Sequence, residues 1–323
     1  PAHGGVQLGY IHDFGLELSG DGQAQDVLGH AEVLERALAA VLEGRAENDA
    51  FNQLLVGASL KPRDVVLFRA WFRYLRQTGL AYSMITVVEA LRRAPGVARG
   101  LIALFDAQHD PAFKGDREAA RRTAQAAISD GLAKVAAIDE DRILRLIRGV
   151  IDATLRTNAY AESGREALAF KLDSSLVPGL PAPVPWREIW VYSPRVEGTH
   201  LRGGPVARGG LRWSDRRDDF RTEILGLMKA QVVKNAVIVP TGAKGGFYPK
   251  QLPPASDRDA WLAEGTDSYR TFIRALLSVT DNIVDGQVVH PDNVTIRDGE
   301  DPYFVVGADK GTGTFSDVAN QIP

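Results

Sequence analysis

Residues 202–247 read RGGPVARGGLRWSDRRDDFRTEILGLMKAQVVKNAVIVPTGAKGGF, the densest cluster of chemistry-capable side chains in the chain. Two glycine pairs, Gly209-Gly210 and Gly245-Gly246, each follow a basic residue, Arg208 and Lys244. Glycine there would let the backbone come close to a ligand or take a positive φ. Between the pairs, Phe220, Ile224, Leu227 and Met228 recur at the spacing of an amphipathic helix over 218–233. Asp218 or Asp219 would cap it. Leu227, Gln231 and Lys234 then share one face, so an amide and an ammonium point together from the end of an apolar stripe. Residues 236–239 (AVIV) read as a short buried strand, ended by Pro240 and Gly242.

Arg208, Arg212, Gln231, Lys234 and Lys244 together suggest a polar pocket for a small dianion. Arginine offers a fork to a carboxylate and lysine a point charge. Each taken alone reads as a surface charge beside an ordinary turn; it is the joint pattern that points to a site.

The order GGLRW, a helix ending QVVKN, a strand, then GAKGG resembles the substrate-binding domain of glutamate dehydrogenases. The fuller wording SPRVEGTHLRGGPVARGGLRWSDRRDDFRTEILGLMKAQVVKNAVIVP resembles the large NAD-specific bacterial type. The resemblance is sharp over about residues 186–321 and weaker at RAWFRYLRQTG and DEDRILRLIRGVIDATLRTN. It implies NAD-dependent oxidative deamination of L-glutamate to 2-oxoglutarate and ammonia. By the same resemblance Lys234, helped by Gln231, holds the substrate α-carboxylate, and Gly209, Gly210 and Arg212 line the substrate site. Lys244 becomes the lysine that activates water and polarises the imine. Asp309, in ADKGTGTFSD, matches the family's D-x-G-x-G aspartate, which handles protons at the substrate nitrogen. Arg208 stands where the smaller enzymes carry a lysine for the distal carboxylate, which keeps the charge and changes the geometry. A homo-oligomer and a cytoplasmic location are also implied.

Composition is compatible with that reading. The 323 residues suffice for two domains, and the net charge of −3 gives no global electrostatic case for nucleic acid or membrane binding. With no cysteine, disulfides, thiolate metal sites and a cysteine nucleophile are excluded. No apolar run is long enough to span a bilayer. The first residues, PAHGGVQLGY, lack the pattern of a secretory signal. Without an initiator methionine the chain is expected to be an excised piece. His3 and His12 have no third ligand at a metal-binding spacing, so no metal site is expected.

Along the chain, residues 1–20 read as the end of a preceding β-containing domain, with a loose strand or hairpin at 6–18. Residues 21–165 read as a helical region, with helices at 27–42, 64–77, 83–93, 96–106, 116–134 and from Asp139 through Tyr160. The run Phe68, Trp71, Phe72 and Tyr74 has helical spacing, so it reads as core and not as a base-stacking surface. The stretch 178–185 (PGLPAPVP) reads as a linker. Residues 166–323 then read as an α/β substrate-binding domain with a mixed sheet. It has strands at 186–193 and 196–201, a helix at 257–284, and a buried strand at 303–306 that delivers Asp309. Lys244 after Val239, and Asp309 after Val306, would both lie beyond the carboxyl ends of strands, where open α/β sheets bind ligands. Lys234 close to Lys244 would lower the lysine pKa by repulsion.

The hydride acceptor has no visible site. No strand, G-x-G-x-x-G and helix occur in order, and Gly311-Thr-Gly313 runs on into Thr-Phe-Ser. A dinucleotide-binding Rossmann domain is therefore not expected in this chain but after Pro323, and the isolated chain is expected to bind dicarboxylates without turning over. Two other classes stay open on the residues alone. GAKGGF could be a phosphate loop, although it lacks the G-x-x-x-x-G-K-[ST] spacing, and the helical half could be an oligomer-assembly module beside a vestigial pocket.

Overall fold

The computed structural model describes residues 29, 31–235 and 239–322. The strand read at 6–18, the first residues of the 27–42 helix, and 236–238 of the strand read at 236–239 lie outside them. Val239 itself is exposed.

The helical periodicities are realised as α1 (Ala31–Leu42), α2 (Pro62–Gln77), α3 (Met84–Arg93), α4 (Pro95–His109), α5 (Arg117–Leu132) and α6 (Ile138–Ala153). Their starts follow local chemistry. Ser83 accepts from the Thr86 N–H and Asp116 from those of Glu118 and Ala119, while Pro62 and Pro95 occupy first turns, where no backbone donor is missed. Phe68, Trp71, Phe72 and Tyr74 are buried, as their spacing requires of core residues.

The helix that begins near Asp139 does not reach Tyr160. It stops at Ala153, and Thr154–Thr157 forms β1, in which the fully buried Arg156 is drawn to Asp281 (2.6 Å) and Asp298 (2.5 Å). Then follow β2 (Leu168–Leu172), β3 (Arg187–Tyr192), β4 (Val196–Arg202), β5 (Ala207–Trp213), α7 (Phe220–Lys234), β6 (Thr241–Pro249) and α8 (Arg258–Leu277). One seven-stranded mixed sheet runs in the order β1-β2-β3-β4-β6-β5, with β9 (Val306–Ala308) at its edge. Strands β1 to β4 and β6 pair antiparallel, while β5 lies parallel to both β6 and β9. Residues 178–185 are thus no linker between domains: they join β2 to β3, neighbours in one sheet. Proline favours extended chain without ladder donors, a property that suits a loop between strands equally well.

Side-chain alternation puts different residues on the two faces of this sheet. Leu168, Phe170, Leu172, Trp190 and Tyr192 join the core built on α2 to α6, whereas Ala169, Ile189, Val191 and Phe247 pack with Tyr269, Phe272 and Leu276 of α8. Phe220, at the start of α7, stacks on Trp190 at 6.0 Å, so the helical layer and the sheet share one core.

Three further expectations shift. Asp219 begins α7 but gives it no side-chain cap, because its carboxylate pairs with Arg216. Helix α8, capped by Asp257, ends at Leu277. After it Asn282–Val284 (β7) and Gln287–Val289 (β8) form a hairpin across Asp285-Gly286, with φ of 51° and 77°. Asp-Gly between β-branched residues is a strong hairpin signal, and it was available in the sequence. The last strand lies at 306–308 on the sheet edge, not buried at 303–306, because its ladder is set by pairing with Gly209–Leu211. No helix among the described residues is long and apolar enough to cross a membrane.

Candidate active site

Strands β5, β6 and β9 bring three parts of the sequence to one place. Lys244 projects from β6 and Asp309 follows β9; the Lys244 Nζ lies 2.5 Å from Asp309 Oδ2, each side chain about one-seventh exposed (14% and 15%). Lys244 lies inside the nine residues of β6, paired in register with Leu201 of β4, and not in a loop after Val239. Only Asp309 obeys the rule of lying beyond a strand's carboxyl end.

The glycine pairs make this packing possible, by a different route from the one expected. Among the described residues none of the four has a positive φ. A Cβ on Gly209 would stand 1.5 Å from the Ala243 carbonyl oxygen, and one on Gly210 2.6 Å from that of Ala308. On Gly245 it would meet Leu211 at 2.3 Å, and on Gly246 Ile224 at 2.4 Å. These glycines let protein approach protein, which draws Lys244 and Asp309 together.

Asp309 is held on several sides. It accepts from the Lys244 ammonium, from Arg212 Nη2 (3.2 Å) and from the Lys310 N–H (2.6 Å), while its own N–H donates to Thr312 Oγ1 (2.9 Å). The Thr312 hydroxyl is buried and donates to the Leu211 carbonyl at 2.6 Å, tying the loop back to β5. Burial would raise the Asp309 pKa, but the hydrogen bonds from Lys244, Lys310 and Arg212 outweigh it and hold the carboxyl below the usual range. Near neutral pH it is therefore a carboxylate, able to take a proton.

Arg212 was expected to face the ligand. Instead both ends of its fork are engaged by acids, Nη1 with Glu223 Oε1 at 2.9 Å and Nη2 with Asp309. Glu223, in the first turn of α7, also accepts from Ser214 Oγ at 2.7 Å. Arg208 stands apart at the start of β5, exposed, donating from Nε to the Tyr303 hydroxyl at 2.7 Å. Gln231, half-buried, borders Gly242, whose hypothetical Cβ would lie 3.0 Å from the Gln231 Cβ. Lys234 ends α7, exposed, and forms no ion pair among the described residues. The charged partner beside Lys244 is thus the opposite-signed Asp309. Glu223, Ser214, Thr312 and Tyr303 were missed by sequence reasoning; only Glu223 had a signal, as an acid in a helix first turn.

A lysine and a carboxylate in direct contact, with anion-binding donors on neighbouring elements, can pass a proton between them beside a bound acid. Comparison with known proteins bears on which acid. The family model of the bacterial NAD-glutamate dehydrogenase catalytic domain matches residues 127–323, and that of glutamate dehydrogenase helical motif 3 matches residues 46–111. The chain belongs to the bacterial NAD-glutamate dehydrogenase family. It is 50% identical over 320 residues to the NAD-specific glutamate dehydrogenase of Pseudomonas aeruginosa, and 51% identical over 323 residues to that of Halomonas elongata. Each alignment covers 97% of this chain and 20% of the relative. With the enzyme of Mycobacterium tuberculosis the identity is 52%, over 88% of this chain and 18% of the relative. The chain thus spans about a fifth of the length of the curated relatives it matches.

Proposed function

We propose that this chain forms the substrate-binding and proton-handling part of an enzyme that oxidatively deaminates L-glutamate to 2-oxoglutarate and ammonia, with NAD as hydride acceptor. The observation that carries the reading is the 2.5 Å contact between Lys244 and Asp309 across β6 and β9. In this reading Lys234 and Gln231, on the last turns of α7, take the substrate α-carboxylate, and Arg208 takes the distal one. Gly209 and Gly210 form the floor beneath them, and Arg212 serves the site through Asp309. Asp309 accepts a proton from the substrate ammonium. The imine forms when the substrate α-carbon loses its hydride to the acceptor. Lys244, one hydrogen bond from Asp309 and acting as the free amine after releasing its own proton to solvent, then removes a proton from the water that adds to the imine carbon. It returns that proton to the departing nitrogen, general acid–base work of the kind such paired groups perform.

The turn that leads from the sheet into the site helix does not suit a pyrophosphate. The turn from β5 into α7 is SDRRDD, without glycine, and its acids Asp218 and Asp219 pair with Arg73 and Arg216 where a pyrophosphate would need bare backbone N–H groups. We assign NAD, which would take the hydride, to residues other than these. A homo-oligomer in the cytoplasm belongs to the same reading.

The test is glutamate-dependent reduction of NAD by the full-length enzyme, followed by absorbance, beside calorimetry on this chain with glutamate, 2-oxoglutarate and pyrophosphate. Turnover by the enzyme, with the chain binding either dicarboxylate, is expected. A chain that binds pyrophosphate alone would make the site a phosphate loop. One that binds none, in an enzyme that does not oxidise glutamate, would make it an assembly module.

A further inference from the structure

Arg202, Arg212 and Arg221 are neutralised by Asp301, Glu223 and Glu188. Arg208 differs from them. Among the described residues its guanidinium has one partner, the neutral hydroxyl of Tyr303, and that partner takes the Nε–H. The terminal nitrogens, which suit a carboxylate, have no hydrogen-bond or ion-pair partner among the described residues. Charge is therefore kept, one donor is spent on orientation, and the pair of donors that recognises a carboxylate is left for a ligand.

We propose that Tyr303 is a positioning and specificity-determining residue for the distal carboxylate of the substrate: it fixes Arg208 through Nε and offers its own hydroxyl proton to the same carboxylate. The proposal rests on the assignment of Arg208 to that carboxylate. Tyr303 is well placed for the task. Behind it Asp301 is locked by Lys171 (2.8 Å) and Arg202 (3.1 Å), and ahead of it β9 is locked onto Gly209–Leu211. The phenol therefore stands on a short tether clamped at both ends, and that tether also delivers Asp309. The Asp309 Cβ would be 3.1 Å from a Cβ on Gly210, two residues along β5 from Arg208, or roughly 7 Å at strand spacing. The backbones that carry Arg208 and Asp309 are thus neighbours held by the same strand pairing, so the distance between the two groups is set by the sheet. A lysine at position 208 would have to bond Tyr303 from the same nitrogen that meets the ligand, whereas arginine separates the two tasks between Nε and the terminal nitrogens.

In the full-length enzyme, Tyr303→Phe is expected to raise the KM for glutamate about tenfold, the effect of losing one hydrogen bond to a charged group. It should leave kcat within about twofold, since the bond acts in ground and transition states alike. The KM for norvaline, which lacks the distal carboxylate, should not move, and the preference for glutamate over aspartate and 2-aminoadipate should narrow. Arg208→Ala should raise the glutamate KM further. If Arg208→Ala raises it and Tyr303→Phe does not, Tyr303 has no such role while the carboxylate assignment stands. If Tyr303→Phe weakens glutamate and norvaline equally, its role is structural and the proposal falls. If neither variant changes the glutamate KM, the assignment of Arg208 falls and takes the proposal with it, and a parent enzyme inert toward glutamate would overturn the functional reading itself.

Discussion

Gln77, near the end of α2, accepts through Oε1 from the Arg221 backbone N–H at 3.1 Å and donates through Nε2 to the Arg217 carbonyl at 2.8 Å. Helix α7 is thus capped from a different helix, 144 residues away in sequence, where its own Asp219 gives no cap. The helix that carries Glu223, Gln231 and Lys234 is positioned by the helical layer. Gln77→Ala should cost about 1–2 kcal/mol, the range for a lost cap, and Gln77→Glu, which keeps the acceptor, should cost less. Urea unfolding followed by circular dichroism measures both; a Gln77→Ala midpoint equal to that of the parent would show that the bond contributes nothing.

Beneath this cap Arg221 is fully buried and meets Glu188 through two hydrogen bonds of 2.7 Å, with Thr199 and Tyr74 completing the carboxylate's shell. Glu188→Ala would strand a guanidinium in the core and should cost about 3–5 kcal/mol. Replacing both partners, Glu188→Leu with Arg221→Met, should recover most of that loss, because the charge and its desolvation go together. A double variant as unstable as Glu188→Ala alone would mean that shape, and not charge, governs the site.

Lys244 and Lys234 should separate kinetically. In the full-length enzyme Lys244→Ala should lower kcat by about 10²–10⁴-fold, since a proton-transfer group acts chiefly in the transition state. Its glutamate KM should change little. Lys234→Ala should mainly raise KM, because a carboxylate clamp works in ground and transition states alike. Normal turnover in Lys244→Ala with none in Lys234→Ala would reverse the two assignments.

Acid should loosen the sheet through His200, which is buried on β4 beside Gly245. Burial and then the Arg202 guanidinium push its imidazole down to about 3, against the opposing pull of Asp301. The folded pKa lies below the unfolded value of 6.5, so the unfolded chain binds the proton more readily. The contribution to stability is full above pH 6.5 and is lost as pH falls toward 3, on the order of 5 kcal/mol in all. Buried His109 acts in the same sense. His200→Phe should flatten the decline in Tm between neutral pH and pH 4, measured by thermal scans; an unchanged slope would place the acid sensitivity elsewhere.

Much of this was legible in the chain itself, because it depends on neighbours. The periodicities of α2 and α6, the caps Ser83 and Asp116, and the β3–β4 hairpin around Pro194 are local facts. So was the Asp285-Gly286 hairpin, although the helix read at 257–284 took in its first strand. The boundary of the helical region was harder to read. Arg156 in β1 has the look of one more exposed helix arginine until Asp281, 125 residues on, supplies the charge that lets it be buried.

By itself the sequence determined the helical and α/β parts, for which spacing and residue type are enough because each is written in consecutive residues. Its motifs also carried the resemblance that implied the family and a shared site for Lys244 and Asp309. Only the tertiary structure decided that the glycines serve strand packing, that Arg212 is engaged by Glu223 and Asp309, and that Arg208 leans on Tyr303. Those outcomes depend on which strand lies beside which: β5 sits between β6 and β9, though β6 and β9 are distant in sequence. A strand order is fixed by the burial of both faces at once, a property that no single segment carries.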